Sequence, residues 1–211
     1  MKRKEIVEGI IEKKAVAVVR LNDDKNVLQV IEAIYKGGLT SIEITMTTPN
    51  ALKIIEKLNF VYEDKLLVGV GSVLDAKTTK DAIKAGAKYV VSPIFDTAII
   101  DIAHHSDIPA MPGCFTPTEI YKAFDSGADV IKVFPANISG MNFFKAVKAP
   151  IPFLKLMPTG GVSLTNASDW LNAGACAVGI GSALLEKEAI TNGDYNKLTE
   201  NTKLLLNNIK R

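Results

Sequence analysis

Asp129-Val130-Ile131-Lys132-Val133-Phe134-Pro135-Ala136 reads as a buried β-strand with a lysine at its centre. Alternation along a strand puts Val130, Lys132 and Phe134 on one face and Ile131 and Val133 on the other. Both faces are apolar, as in a parallel strand covered on two sides, so the ammonium has no evident route to water. Lysine is seldom buried unless paired. Withdrawing water disfavours the charged form of an amine, and the neutral form is the one that attacks a carbonyl carbon. The competing reading is a strand-end lysine that snorkels out or is tied into a structural ion pair.

The surroundings repeat. Gly127-Ala128 feeds this strand from a helix, as Gly86-Ala87 and Gly174-Ala175 feed two others. Strands are expected at 15–20, 41–45, 65–71, 88–92, 108–111, 129–136, 153–157 and 177–181. Between them fall helical patterns, including 22–35 capped by Asn22-Asp23-Asp24, one opened by Thr48-Pro49, and 75–85, 97–105, 116–124, 141–148 and 164–172. A helix over 2–14 precedes the first strand, and another starts near Asp194. Eight strands alternating with helices in 211 residues predict a closed parallel (β/α)8 TIM barrel with an extra N-terminal helix, residues 1–211 forming a single domain. An open doubly wound sheet is the rival. Against it, Arg20-Leu21-Asn22-Asp23 follows the first strand, where a glycine-rich dinucleotide fingerprint would stand.

Composition narrows the function. The chain is 47% hydrophobic and 23% charged, ordinary for a globular protein. A net charge of +2 without a long basic run implies neither nucleic acid nor a membrane surface as partner. Lys2-Arg3-Lys4 leads into Glu5-Ile6-Val7-Glu8-Gly9, unlike a signal peptide. Cys114 and Cys176 are too few and too far apart for a disulfide framework or a metal site, which suits a cytoplasmic location.

A barrel of this kind carries its active site at the C-terminal ends of its strands. Those ends supply Arg20, Glu43 with Thr45, Ser72, Ser92, Lys132 and Thr159. Glu43, flanked by Ile42 and Ile44, is aimed into the barrel as Lys132 is. The pair could be a structural salt bridge; equally, a carboxyl beside a desolvated amine is the arrangement imine chemistry uses for proton transfer. Pro158-Thr159-Gly160-Gly161 and Gly179-Ile180-Gly181-Ser182 end strands seven and eight, where barrels of this type hold phosphate on backbone N–H groups; tight turns needing positive φ are the alternative. His104-His105 lies at a helix end away from the site, and Cys114 has no histidine to activate it. No His, Asp and Glu set has metal-ligand spacing, so metal-free chemistry is expected.

Assembled, Ile42-Glu43-Ile44-Thr45, Gly69-Val70-Gly71-Ser72-Val73, Val91-Ser92-Pro93, Met111-Pro112-Gly113 with Thr116-Pro117-Thr118-Glu119, Ile131-Lys132-Val133-Phe134-Pro135, Pro158-Thr159-Gly160-Gly161-Val162 and Gly179-Ile180-Gly181-Ser182 span nearly the whole chain. Together they resemble the bacterial class I aldolases that cleave 2-keto-3-deoxy-6-phosphogluconate and often also act on 4-hydroxy-2-oxoglutarate. The resemblance implies a keto acid phosphate substrate, a Schiff base on Lys132, proton transfer by Glu43, and no cofactor beyond that covalent imine. It further implies substrate contacts from Thr45, Thr47, Ser72, Pro93 and Phe134, phosphate held by Thr159, Gly160, Gly161, Gly181 and Ser182, and a homotrimer. Two positions depart from the pattern. Some family members carry arginine at the position of Thr47 and threonine at that of Ser72; Ser72 keeps the hydroxyl, but Thr47 cannot replace a guanidinium fork. Arg20, next door to Glu43, is the expected substitute for the carboxylate. Other expectations are an aldolase for the 6-phosphogalactonate epimer, a phosphate-binding barrel isomerase or epimerase, and a non-enzymatic phosphosugar-binding regulator.

Overall fold

A computed structural model describes residues 1–210. Helix α1 (Arg3–Lys13) is followed by nine short strands: β1 (Ala15–Val19), β2 (Ser41–Thr45), β3 (Leu67–Gly71), β4 (Val90–Val91), β5 (Ala110–Met111), β6 (Gly113–Cys114), β7 (Ile131–Val133), β8 (Leu156–Pro158) and β9 (Val178–Ile180). All pairings are parallel, in the orders β5-β4-β3-β2-β1-β9 and β6-β7-β8. The two sheets are one curled wall. β5 and β6 are a single barrel strand interrupted at Pro112, which has no N–H to give the ladder but accepts from Lys132 N–H at 2.9 Å. A Thr159–Gly179 bridge joins β8 to β9 and closes the (β/α)8 barrel.

Between the strands run α2 (Val27–Lys36), α3 (Ala51–Tyr62), α4 (Ala76–Lys84), α5 (Thr97–His105), α6 (Pro117–Asp125), α7 (Ala136–Lys148) and α8 (Ala167–Asn172). α9 (Lys187–Thr191) and α10 (Tyr195–Ile209) end the chain. The helix starts correct several sequence expectations. α2 begins at Val27 because Asp23 takes the Lys25 N–H and Asp24 accepts from Asn50 Nδ2, so neither aspartate caps it. α3 begins after Asn50, whose left-handed φ of 57° turns the chain past Pro49. α7 starts at Ala136 rather than Met141 and is broken at Gly140 (φ 71°, ψ 171°). β1 stops at Val19, leaving Arg20 just beyond it, and the 153–157 expectation shifts to Leu156–Pro158. The Gly-Ala repeat is real backbone chemistry: Gly86, Gly127 and Gly174 have φ of +94°, +91° and +106°, the left-handed turn that ends each helix.

Strand parity divides the core. Ile42, Ile44, Val68, Val70, Ile131 and Val133 pack outward against the helices. Val16, Tyr89, Val91, Met111, Val130 and Met157 fill the barrel interior, closed from below by Ile6, Val7 and Ile10 of α1. Each of those three side chains contributes about 1.5–3 kcal/mol by its burial. α1 is therefore a plug that keeps water out of the barrel floor.

Asp129 fastens this floor. Its carboxylate accepts from Ala110 N–H at 3.0 Å, meets His104 Nε2 at 2.9 Å and pairs with Arg3 Nε of α1 at 3.4 Å. His104 thus has a structural place, as its sequence position suggested. Asp129→Ala should lower unfolding free energy by about 1–3 kcal/mol, from a buried N–H left unpaired, with activity of the folded fraction unchanged. Urea denaturation beside kcat checks this; a fall in kcat of the folded protein would show that the floor feeds the site.

Candidate active site

β7 and β2 carry the amine and the carboxyl of the interior. Lys132 is only 5% exposed and Glu43 is 0% exposed. Lys132 stands in register between Gly113 and Met157, and its Nζ lies 5.2 Å from the centre of the Phe134 ring. Gly113 is required there, because any Cβ would overlap the Pro93 carbonyl; this close approach fixes the Ser92-Pro93 turn beside the lysine strand.

The Glu43 side chain lies over Gly71 of β3, where a Cβ would overlap the carboxylate. Neither Glu43 oxygen has a hydrogen-bond partner among the described residues, so no salt bridge to Lys132 has closed. Burial raises the Glu43 carboxyl above the ordinary carboxylate range, opposed first by the nearby Lys132 charge and then by Arg20. The structural ion pair considered from sequence is absent. In its place is a buried carboxyl with no hydrogen-bond partner among the described residues.

Above Glu43, Thr45 Oγ1 donates to the Val19 carbonyl at 3.2 Å and lies 2.9 Å from Thr47 Oγ1. Thr47 itself is exposed. Arg20 reaches from the end of β1 across this mouth, Nη2 donating to Ser72 Oγ at 3.4 Å, with Ser72 held in a left-handed φ of 59°. A cavity of about 650 Å³ opens beside Arg20 and Phe134 and is floored by Thr159, Gly160, Gly161, Gly181 and Ser182. Lys132, Glu43 and Thr45 are buried and give it no surface; Thr47, Ser72 and Pro93 belong to other loops of the same face. Asn22, Asp23 and Asn26 of the first loop and Lys187 and Thr191 of α9 complete its polar lining. None of these was expected from the sequence, because loop residues and a one-turn helix carry no periodic signal.

The two glycine turns differ. Gly160 (φ +94°) and Gly161 (φ +76°) pack against Asn137 at the start of α7, and Asn166 Nδ2 ties down the Gly161 carbonyl at 3.0 Å. Gly181 has no positive φ, and a Cβ on it would meet Val18 only at ordinary contact, 3.5 Å or more. The N–H groups of Gly160, Gly161 and Ser182 donate to no backbone carbonyl among the described residues and are free for an anion. Thr159 Oγ1 is likewise buried without a partner.

Other reactive groups stand apart. Burial pushes the Cys114 thiol up to about 12 and that of Cys176 to about 11, which leaves both unreactive thiols. Among the described residues no group of His, Cys, Asp and Glu could hold a metal ion.

The family model for KDPG and KHG aldolases matches residues 6–201. The chain belongs to that aldolase family. As an aldolase it is a carbon–carbon lyase. It is 35% identical over 187 residues, 87% of this chain and 84% of the relative, to the 2-dehydro-3-deoxy-phosphogluconate aldolase of Pseudomonas aeruginosa. The 2-dehydro-3-deoxy-6-phosphogalactonate aldolase of Escherichia coli is 30% identical over 170 residues, 80% of this chain and 83% of that one. Among solved structures, the KDPG aldolase of Legionella pneumophila with pyruvate captured as a covalent carbinolamine superposes with a TM-score of 0.87 at 29% identity, covering 94% of this chain and 97% of that one.

The raised Glu43 carboxyl gives a stability prediction for this aldolase. A carboxyl raised by folding adds stability below its ordinary range, near 4.5, and loses it as pH rises through the folded value. Glu43→Gln should therefore be more stable than the parent at pH 7–8, the difference vanishing as pH falls below ~4.5. Thermal melts across that range check it; equal stability at pH 8 would mean that Glu43 is solvated or paired.

Proposed function

We propose that the protein is a class I, metal-independent aldolase that cleaves 2-keto-3-deoxy-6-phosphogluconate to pyruvate and glyceraldehyde 3-phosphate through an imine on Lys132. The observation that carries this is a lysine 5% exposed inside a barrel mouth, next to a buried carboxyl and below a cavity floored by two glycine turns. The unprotonated Lys132 amine attacks the C2 ketone, and loss of water gives an iminium. The iminium accepts the electron pair of the C3–C4 bond as Glu43 takes the proton from the C4 hydroxyl, directly or through water. Glyceraldehyde 3-phosphate leaves, the enamine is protonated at C3, and hydrolysis returns pyruvate and the free lysine.

Arg20 holds the substrate carboxylate in this reading. Its guanidinium already spans the mouth to Ser72 and can offer a two-pronged contact that Thr47 cannot. Thr45, Thr47, Ser72, Pro93 and Phe134 shape the pyruvate end, and Thr159, Gly160, Gly161, Gly181 and Ser182 receive the phosphate. The unphosphorylated 4-hydroxy-2-oxoglutarate, cleaved to pyruvate and glyoxylate, fits the same imine chemistry. The likeness to a phosphogalactonate aldolase supports a second reading, in which the substrate is the epimer differing at one hydroxyl; comparing kcat/KM on the two epimers decides between them. The chain acts without a cofactor and as a homotrimer in the cytoplasm. The exposed Tyr121, Phe124 and Phe153 cluster supports assembly, and two free cysteines suit a reducing compartment.

Gly181→Ala tests the phosphate site without unfolding it, because the added methyl meets no protein atom closer than 3.5 Å. It should lower kcat/KM at least about tenfold for the phosphorylated substrate, the scale of one lost hydrogen bond to a charged group, and leave 4-hydroxy-2-oxoglutarate cleavage unchanged. Gly161→Ala is a poorer probe, since its φ of +76° and Asn137 at 2.8 Å would strain the turn itself. Equal losses on both substrates for Gly181→Ala would contradict the assignment.

A further inference from the structure

β3 presents two glycines to the barrel interior, two residues apart. The Tyr89 ring occupies the space of a Cβ on Gly69, and the Glu43 carboxylate that of a Cβ on Gly71. Glu43 pairs with Gly69 in the β2–β3 register, and Val70 N–H donates to the Tyr89 carbonyl at 2.9 Å. The phenol of Tyr89, just before β4, and the carboxylate of β2 therefore lie side by side over one glycine platform. Both residues are 0% exposed. Neither the Tyr89 hydroxyl nor either Glu43 oxygen has a partner among the described residues. The remaining interior around Tyr89 is Val16, Val91, Met111, Val130 and Met157, which offers the hydroxyl no acceptor better than a thioether sulfur. Burial, then the neighbouring Glu43, holds the phenol well above its ordinary range, so it stays an O–H donor. A protonated donor and an acceptor-only carboxylate enclosed together are the setting in which one water completes both.

We propose that Tyr89 is a positioning residue for Glu43: its hydroxyl, through one enclosed water that donates to the carboxylate, holds Glu43 ionised and turned toward Lys132. This rests on the reading of Glu43 as proton carrier. The other charged groups acting on Glu43 are Lys132 from β7 and Arg20 after β1, both at the mouth, so Tyr89 secures the carboxylate from the floor side.

Tyr89→Phe removes one hydroxyl without a protein partner and leaves the ring over Gly69. The variant should fold and form the pyruvate imine to the parent extent. Its kcat for cleavage should fall about tenfold, and the acid limb of its kcat profile should move up by about one pH unit, because the ionised carboxylate loses a donor. A parent-like kcat and acid limb would overturn the assignment. In a Glu43→Gln background, Tyr89→Phe should change cleavage no further; a second tenfold loss there would make Tyr89 a structural residue and overturn it too. Full cleavage by Glu43→Gln alone would remove the proton carrier and this proposal with it. Loss of cleavage in Glu43→Gln beside a parent-like Tyr89→Phe would defeat the Tyr89 role alone.

Discussion

One carboxyl and one amine withdrawn from water inside one barrel, without closing into an ion pair, form the constraint on which this structure depends. A buried carboxylate without a hydrogen-bond partner costs stability, and a domain has only ~5–15 kcal/mol in total. Glu43 nevertheless has no hydrogen-bond partner among the described residues, and Lys132 keeps its amine against the Phe134 ring. Their separation is imposed by the wall: β2 and β7 lie far apart in the strand order, each pinned by its own ladder.

The glycines are what allow this. Gly69 and Gly71 hollow out β3 so that a phenol and a carboxylate fit inside an eight-stranded barrel, and Gly113 lets the Pro93 carbonyl close in beside Lys132. Small residues on the inward face thus set where large polar ones can stand, a division of labour that the α1 plug and the Asp129 fastening protect from water below. At the other end, the N–H groups of Gly160, Gly161 and Ser182 donate to no backbone carbonyl among the described residues, and all three residues line the cavity.

Much of this was legible in the sequence because the anomalies were local. An ionisable residue inside a β-branched run, as at Glu43 and Lys132, marks itself, and alternation then gives the face. The Gly-Ala pairs marked the loops and therefore the barrel. Other features depend on three-dimensional contact. Tyr89 is an ordinary strand residue by composition, and only its place over Gly69 beside Glu43 makes its hydroxyl stand out. Whether Glu43 and Lys132 pair is a matter of distance between strands that are remote in sequence. Asn26, Lys187 and Thr191 enter the cavity from segments without periodicity, and the difference between Gly161 and Gly181 lies in a φ angle that the letter G does not record.

The most direct measurement is intact mass after incubation with pyruvate and borohydride, followed by peptide mapping. Lys132 as the imine-forming residue predicts one reduced pyruvate adduct per chain, on the peptide that contains Lys132, and none on a folded Lys132→Arg variant. An adduct on a different lysine, or no adduct on the parent protein, would contradict the account.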